Sequence, residues 1–351
     1  MPLTTSGNQP QLPPSKNLNN LDAYGYDLPE ELIAQHPLTE RDKAKLMVIN
    51  RQAQTITHDI FSNIDRYLPH GTTFVVNNSK VIPARLLGVK PTGGEVEVFL
   101  LKQLDDYHFE ALLRPLKRVR EHEPIDFGFG ISASLENREQ RIVKFNQPNI
   151  LPVLEKVGHI PLPPYIKRSD NIEDKEYYQT VYAKNLGSVA SPTAGLHFTT
   201  TLINRLKEQG HHFYASTLHI GYGTFKPVET QDIRQHPMHT ESYELLNEVY
   251  DTLLTSKAQK APIAAVGTTS CRVLESVAAS GKLTGDTNIF IYPGYEFKMV
   301  DILITNFHLP FSTLLMLVSA FGGYDLIRRA YQEAIAERYR FYSYGDAMII
   351  Y

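Results

Sequence analysis

The apolar residues of the chain follow a strand-like spacing first and a helix-like spacing later. From about residue 46 to residue 144, short β-branched or alternating runs recur, among them residues 73–76, 95–99 and 109–113. Glycines separate these runs and no long helical pattern interrupts them, which is typical of short strands joined by turns. We therefore predict a small all-β unit, barrel-like or sandwich-like, over residues 66–155.

After residue 156 the two spacings alternate. A proline-stiffened segment, 158–165, leads out of the β unit. The pattern then predicts a helix capped by Thr199 and ending at Gly210, a strand over 212–220, a helix over 239–258, a strand over 262–266, a helix over 270–280, strands over 288–292 and 300–305, and an amphipathic helix over 324–339. Such alternation indicates an α/β domain with a substantially parallel sheet.

The predicted fold is therefore an α/β main domain with an inserted small all-β, barrel-like domain. The main domain takes residues 21–65 and 156–351, and the insertion takes residues 66–155. A length of 351 residues agrees with two domains, since single cores rarely grow that large. Residues 1–20 have no apolar periodicity, and we predict that they form a disordered extension. Residues 29–31 predict the first turn of a helix that ends by Pro37.

Composition and charge narrow the class of protein. The net charge of −3 gives no overall positive field, so a nucleic-acid site must be a local patch. Cys271 is the only cysteine, which excludes an intrachain disulfide and a cysteine-rich zinc site. Residues 1–20 do not resemble a secretory signal, and the longest apolar run, 309–321, is too short to cross a bilayer. We expect a soluble, cytoplasmic protein with no membrane partner.

Four segments of the second half combine small residues with a hydroxyl, amide or guanidinium group. They are residues 191–198, 218–225, 266–272 and 305–312, and three of them carry a histidine: His197, His219 and His308. This mixture suits a polar pocket better than a hydrophobic core. The segments fall at or near strand ends, where α/β sheets bind ligands. We predict that they converge on one site.

Each of these signals also has a structural interpretation. A single turn histidine is more often a hydrogen-bonded structural group than a catalyst, but three in one domain make the two interpretations about equal. Zinc is disfavoured because no H-E-x-x-H or cysteine spacing is present. The turn at 266–270 could bind an anion at a helix start or could simply cap that helix. For Cys271 a packed thiol is favoured over a nucleophile.

Basic residues cluster in and after the β unit. Arg114, Lys117, Arg118 and Arg120 lie within seven residues of one another. Such a cluster is either ordinary solvated surface or a face that contacts phosphates. The residues alone leave three classes open: a transferase for a nucleoside-type substrate, an RNA-binding module, and an S-adenosylmethionine methyltransferase. The last lacks the glycine-rich loop expected after its first strand.

The ordered motifs resemble one known family. They are Gln35-x-Pro37 with Arg41, the segments 76–85, 158–165 and 178–183, the four polar segments, 290–294, Asp301 and 344–348. Together they resemble the S-adenosylmethionine:tRNA ribosyltransferase-isomerase family of queuosine biosynthesis, from about residue 26 to the C-terminus. Lys45, Ser191, Val273 and Phe311 depart from the family pattern, and Phe311 stands where a basic residue is usual.

The resemblance implies a specific reaction. The ribosyl part of S-adenosylmethionine moves onto 7-aminomethyl-7-deazaguanine at the tRNA wobble position and isomerises, giving epoxyqueuosine and releasing adenine and methionine. It also implies S-adenosylmethionine as co-substrate without a further cofactor or a metal, and tRNA as partner. The two-domain form of the family, an α/β domain with a β-barrel-like insertion, agrees with the pattern described above. We expect a monomer.

The resemblance also places residues in the site region. As catalytic residues we expect His197, His219, His308, Glu241 and Asn306, with general base and general acid unassigned among the histidines. As S-adenosylmethionine-binding residues we expect Thr193, Gly195, Phe198, Gly221, Tyr222, Gly223, Thr268, Thr269, Ser270, Arg272 and Glu275. As tRNA-binding residues we expect Lys80, Arg85, Arg114, Lys117, Arg118, Lys167 and Arg168.

Overall fold

The structure is a computed structural model that describes residues 17–221, 223 and 227–351. Its strands are β1 (Lys45–Asn50), β2 (Thr55–Ile60), β3 (Thr73–Asn77), β4 (Ser79–Val81), β5 (Arg85–Val89), β6 (Glu95–Gln103), β7 (His108–Arg114), β8 (Pro124–Asp126), β9 (Ser132–Asn137), β10 (Ile142–Phe145), β11 (Gly158–His159), β12 (Asn185–Ser188), β13 (His212–Leu218), β14 (Glu241–Leu245), β15 (Ile263–Val266), β16 (Thr284–Thr287), β17 (Ile302–Asn306) and β18 (Ala347–Ile350). The α-helices are α1 (Leu151–Val157), α2 (Asp174–Tyr177), α3 (Thr200–Glu208), α4 (Asn247–Ala258), α5 (Gly267–Ser280), α6 (Thr313–Gly322) and α7 (Tyr324–Ala336). No helix in this part of the chain is long and apolar enough to cross a membrane.

A nine-stranded sheet forms the larger half of the molecule. Its order is β16-β14-β13-β3-β15-β17-β18-β1-β2, and β13, β3, β15 and β17 are parallel neighbours. Strands β3, β15 and β17 are buried along their whole length. This explains their continuous β-branched and apolar sequence, because parallel strands are covered on both faces. The mixed α/β class is therefore confirmed.

Hydrophobic cores lie on both faces of this sheet. Along β17, Leu303 packs into one core together with α5, α6 and α7, while Ile302 and Ile304 pack into the other. Side chains of a strand alternate between faces, so one short strand contributes to both cores. On the second face α3 is held by its cap, since the Thr199 hydroxyl accepts a hydrogen bond from the Leu202 amide at 3.1 Å.

A seven-stranded sheet, β11-β5-β6-β7-β10-β9-β8, forms from residues 85–159. Its neighbouring strands are antiparallel, and β5 also pairs with β8 through Val89 and Asp126, which closes six of the strands into a ring. Alternate residues of β6 and β7 are buried. They meet in a separate hydrophobic core that includes Val98, Phe109 and Leu135.

The structure corrects several predicted elements. Strand β3, which we assigned to the β unit, pairs with β13 and β15 in the nine-stranded sheet. Its run of buried residues is the same in either context, so spacing alone cannot place it. The predicted helix over 239–258 begins with strand β14, and α4 takes only its second part. In place of the strand predicted over 288–292, β16 pairs with β14 just before it.

The N-terminal predictions also change. Residues 1–16 lie outside the described residues, but residues 17–20 are placed by specific contacts. The Tyr24 hydroxyl donates to the Leu18 carbonyl at 2.8 Å, and Asn20 forms a bridge with Asp232. The predicted disordered extension over residues 1–20 therefore wrongly includes residues 17–20, which are held by these contacts. The helix predicted from residue 29 is a single 3₁₀ turn, Glu30–Leu32, because the chain becomes extended at Ile33 and pairs there with Phe341.

Candidate active site

A cavity of about 680 Å³ lies at the carboxyl ends of β15 and β17. The segments that follow β12, β13, β15 and β17 bring residues of all four polar segments to its walls, the 218–225 segment through Ile220 alone. Its polar lining includes Ser191, Thr193, Thr268, Thr269, Thr305, Asn306, His308, Ser312 and Ser343. The predicted convergence is therefore observed for these segments. We call this space the first cavity.

Two helices begin at the first cavity. Gly267 opens α5 with φ +89, a conformation that side chains with a Cβ rarely adopt, so glycine suits this turn. At the start of α6 the Ser312 hydroxyl accepts a hydrogen bond from the Leu315 amide at 3.2 Å. Unpaired amides and the helix dipole make each of these ends favourable for negative charge.

Asn306 is the centre of a hydrogen-bond network beside the first cavity. Its Oδ1 accepts from the Thr193 hydroxyl at 3.1 Å, and its Nδ2 lies 3.1 Å from His197 Nε2. The same Nδ2 faces the carbonyls of Tyr342 at 3.2 Å and Asp346 at 3.4 Å. Because those carbonyls can only accept, Nδ2 is the donor. It follows that His197 Nε2 accepts and the ring proton lies on Nδ1.

His197 and His308 are both buried and uncharged near neutral pH. Desolvation lowers the pKa of His197 to about 4 and that of His308 to about 3. His308 lines the first cavity, and its Nε2 lies 3.0 Å from the Thr305 hydroxyl. Its backbone is held by Tyr331, whose hydroxyl accepts from the His308 amide at 2.9 Å, and by Tyr26, whose hydroxyl donates to its carbonyl. His197 lies behind Asn306.

A second cavity of about 480 Å³ adjoins the first, and Leu314 borders both. Its lining includes Gly223, Glu241 and Arg272. The Arg272 guanidinium donates to Glu241 Oε2, and the Gly221 amide donates to Glu241 Oε1 at 3.0 Å. Tyr222, predicted to contact the substrate, lies outside the described residues.

Three predicted binding residues are fully buried structural groups instead. Phe198 is enclosed by Phe61, Phe74 and other core rings, so it cannot present a face to adenine. The Ser270 hydroxyl donates to the Val266 carbonyl at 3.0 Å inside α5. Phe198 is part of a hydrophobic core, and the Ser270 hydroxyl already has a hydrogen-bond partner in its own helix. A sequence motif does not distinguish such structural residues from residues that bind a ligand.

Glu275 is the third of these structural groups. Its carboxylate accepts hydrogen bonds from the amides of Lys298, Met299 and Val300 at 2.9 to 3.0 Å and from the Tyr295 hydroxyl at 3.1 Å. These four donors saturate a carboxylate with no exposure to solvent. Glu275 therefore fixes the segment before β17 and is not a ligand contact.

His219 and Gly195 lie apart from both cavities. His219 packs against Gly187, and desolvation lowers its pKa. Its Nδ1 is buried without a hydrogen-bond partner among the described residues. Gly195 lies against Tyr182, where a Cβ would be 2.1 Å from the tyrosine oxygen, so close packing requires this glycine. Cys271 is fully buried and burial raises its thiol pKa, which confirms a packed thiol.

The predicted basic residues divide into two groups. Arg85, Arg114 and Arg168 line a groove of about 640 Å³ between the seven-stranded sheet and residues 161–164. Arg168 is committed to the fold, because it forms a double ion pair with the buried Asp174 at 2.6 and 2.7 Å. This corrects its assignment to tRNA.

The second group is more open to solvent. Lys117 and Arg118 are exposed on the 3₁₀ turn Leu116–Arg118, and Lys80 lies half-buried on β4. Lys167 is exposed and pairs with Glu30. In the groove, Arg85 pairs with Glu97 at 2.8 Å. An exposed ion pair such as Lys167–Glu30 is weak, so Lys167 can exchange partners, whereas the Arg85–Glu97 pair is partly buried.

Sequence reasoning missed part of the first cavity's wall. Tyr165, Tyr342 and Ser343 line it, and the hydroxyls of Tyr165 and Ser343 lie 2.6 Å apart. Tyr165 belongs to a proline-stiffened segment that we assigned only as a domain crossing. Within the described residues no group of three or more histidine, cysteine, aspartate or glutamate side chains is arranged to hold a metal.

Comparison with known proteins gives consistent results. The sequence profile of a family described as queuosine biosynthesis protein matches residues 21–350. Proteins named S-adenosylmethionine:tRNA ribosyltransferase-isomerase are similar along nearly the whole chain. The one from Sulfurihydrogenibium sp. is 51% identical and the one from Carboxydothermus hydrogenoformans 49%, each over 94% of this chain and 99% of the relative.

A solved structure is similar as well. The crystal structure of S-adenosylmethionine tRNA ribosyltransferase from Thermotoga maritima superimposes with a TM-score of 0.55 and is 37% identical. The match covers 94% of this chain and 100% of that chain. The sequence relation therefore extends over both sheets and both cavities.

Proposed function

The chain belongs to the queuosine biosynthesis protein family, and we infer from this membership that it is a transferase-isomerase that acts on tRNA. It transfers and isomerises the ribosyl moiety of S-adenosylmethionine onto 7-aminomethyl-7-deazaguanine at the tRNA wobble position. The product is epoxyqueuosine-tRNA, and adenine and methionine are released. The observation that carries this conclusion is sequence identity near 50% with enzymes of that name along 94% of the chain.

We propose that the chemistry takes place in the first cavity. The sulfonium of S-adenosylmethionine acidifies the adjacent 5′ carbon, and neutral His308 can accept a proton there because its ring lines the cavity. Burial lowers the pKa of this imidazole to about 3, so its protonated form is a better proton donor than an exposed imidazolium. The same ring is then suited to return the proton to the departing adenine. Thr268 and Thr269, at the start of α5, supply hydroxyl and amide donors to the ribose.

In this proposal His197 is a positioning residue. It accepts a hydrogen bond from Asn306, and Asn306 accepts one from Thr193, so the imidazole fixes the direction of an amide and a hydroxyl at the cavity. Its low pKa supports this role, because a protonated Nε2 would repel the Asn306 amide donor. His219 takes no part, since it lies away from both cavities.

For the tRNA we propose the groove and the exposed turn beside it. Arg85 and Arg114 line the groove, and Lys117 and Arg118 are exposed nearby in the chain. Lysine and arginine contacts to phosphates position RNA and make affinity depend on salt. The modified base must leave the anticodon stack to reach the first cavity, which costs little in a single-stranded loop.

We further propose that residues 84–159 form an inserted barrel domain, since their sheet closes on itself and has its own core. The boundary replaces the one first predicted at residue 66, because β3 belongs to the other sheet. The enzyme is proposed to act as a cytoplasmic monomer without a metal or a cofactor apart from its co-substrate.

One incubation tests the function. Purified enzyme is mixed with S-adenosylmethionine and tRNA that carries the 7-aminomethyl-7-deazaguanine base, and released products are measured by chromatography. Free adenine and methionine together with ribosylated tRNA are expected. S-Adenosylhomocysteine would indicate methylation instead, and absence of turnover would leave an RNA-binding protein.

The role of His308 is tested in the same assay. His308→Asn should slow adenine release by about 10²- to 10⁴-fold, the range for a lost general acid–base group. His108→Asn is the matched control, because His108 lies at the start of β7 and pairs with Asp105. Turnover of His308→Asn equal to that of the control would remove His308 from the mechanism.

A further inference from the structure

The second cavity contains a buried arginine with unused donors. Arg272 is only 7% exposed, and its Nη1 donates to Glu241. Neither Nε nor Nη2 has a hydrogen-bond partner among the residues that the structure describes. Native proteins rarely leave buried donors unpaired, so this arrangement indicates a missing acceptor. Nε and Nη2 share one edge of the guanidinium, and that edge matches the two oxygens of a carboxylate.

The remaining lining restricts what that acceptor can belong to. Glu241 forms an ion pair with Arg272, so the cavity wall carries a negatively charged group next to a positively charged one. Met238, Ile289 and Ile291 add an apolar surface to the same lining. A cavity with a guanidinium, a carboxylate and an apolar wall fits a zwitterion with an apolar side chain, which describes an α-amino acid.

We propose that the second cavity binds the amino-acid end of S-adenosylmethionine and selects for its carboxylate. The α-carboxylate takes the Nε–Nη2 edge of Arg272, the α-ammonium lies towards Glu241, and the methylene groups pack on the apolar wall. This inference rests on the proposed function. Because Leu314 borders both cavities, the sulfonium lies at their junction and the ribose and adenine extend into the first cavity. Methionine therefore leaves from one cavity and adenine from the other.

The test compares two ligands that differ in one group. S-Adenosylmethionine and its decarboxylated form, which keeps the amine and the sulfonium, are measured by equilibrium dialysis without tRNA. Wild-type enzyme should bind the decarboxylated ligand about 10- to 100-fold more weakly, as expected for the loss of charge-assisted hydrogen bonds. In Arg272→Met the two ligands should bind with nearly equal affinity, because only the carboxylate contact has been removed.

Two further variants make the result decisive. Arg272→Lys keeps a positive charge beside Glu241 but lacks the planar edge, so it should lose most of the discrimination even if Arg272→Met folds poorly. Arg234→Met is the matched control, because Arg234 is exposed and pairs with Asp232 at 2.7 Å. It lies two residues before His236, which lines the cavity, but does not itself line it. This variant should keep the wild-type ratio.

Equal affinity of wild-type enzyme for both ligands would overturn the proposal, as would unchanged discrimination in Arg272→Lys. Failure of the subsite and failure of the proposed function give different results. The dialysis requires no turnover, so an enzyme that releases adenine but ignores the carboxylate contradicts only the subsite. An enzyme that discriminates but releases no adenine contradicts only the function.

Discussion

Replacing Glu275 with glutamine should lower stability strongly and leave the chemistry intact. In the folded protein Oε1 accepts from the amides of Met299 and Val300, and Oε2 accepts from the Lys298 amide and the Tyr295 hydroxyl. Glutamine turns one of these oxygens into a donor that faces two other donors. Two hydrogen bonds to a charged group are lost, at roughly 1.5–3 kcal/mol each, so the expected loss is about 3–6 kcal/mol.

That loss is large against a typical unfolding free energy of about 5–15 kcal/mol. Urea unfolding measured by circular dichroism should show the midpoint of Glu275→Gln far below that of wild type. Adenine release, measured well below the transition and corrected for the folded fraction, should stay close to wild type because Glu275 lines neither cavity. Glu248→Gln is the control: Glu248 is exposed in the first turn of α4, where a change within about 0.5 kcal/mol is expected. A normal midpoint combined with lost adenine release would refute the structural assignment of Glu275.

Two further predictions concern acid stability and RNA binding. Because the pKa values of His197 (about 4) and His308 (about 3) lie below the unfolded value of about 6.5, the unfolded chain binds protons that the folded chain does not. The free energy of unfolding should therefore fall as the pH drops from about 6.5 towards 4, by up to about 2.7 kcal/mol per pH unit for the two histidines together. In the His197→Asn, His308→Asn double variant, the urea midpoint should depend less steeply on pH than in wild type. Charge reversal at Arg114 and Lys117 should weaken tRNA binding and reduce its salt dependence without affecting S-adenosylmethionine binding. The control Arg329→Glu on α7 should change the binding of neither ligand. If the charge-reversed variant binds tRNA with normal affinity across a salt series, the basic cluster is ordinary surface.

Local signals were enough to predict much of the main domain. The Thr199 cap and the apolar spacing after it predicted α3, and the run before Gly267 predicted β15. These elements are specified by residues close together in the chain. The predicted convergence of polar turns is also observed. Residues 220, 267–269 and 305–309 follow parallel strands of the large sheet, whose carboxyl ends lie at one edge, whereas residues 191–194 follow β12 of a separate two-stranded sheet.

Other assignments depend on partners that are distant in sequence. Nothing near Glu275 reveals that residues 295–300 will deliver four donors to it. Phe198 follows a site histidine, but it faces the core because the 3₁₀ turn Thr193–His197 ends there and directs the next side chain inward. Likewise the length of β3 suits either sheet, and only its register with β13 and β15 decides between them. Spacing predicts which residues can share a face, and the tertiary contacts determine what that face meets.

Helix α5 connects these observations. Thr268, Arg272 and Glu275 are four and three residues apart, so they lie along one side of the helix. From its start that side meets the first cavity, then the second, then the segment 295–300. Burying polar groups on a helix costs free energy unless they are hydrogen-bonded, and Glu275 is the one whose carboxylate the fold itself satisfies completely. Its four hydrogen bonds hold the helix in place, so that Arg272, one turn earlier, can keep an unpaired edge for a ligand.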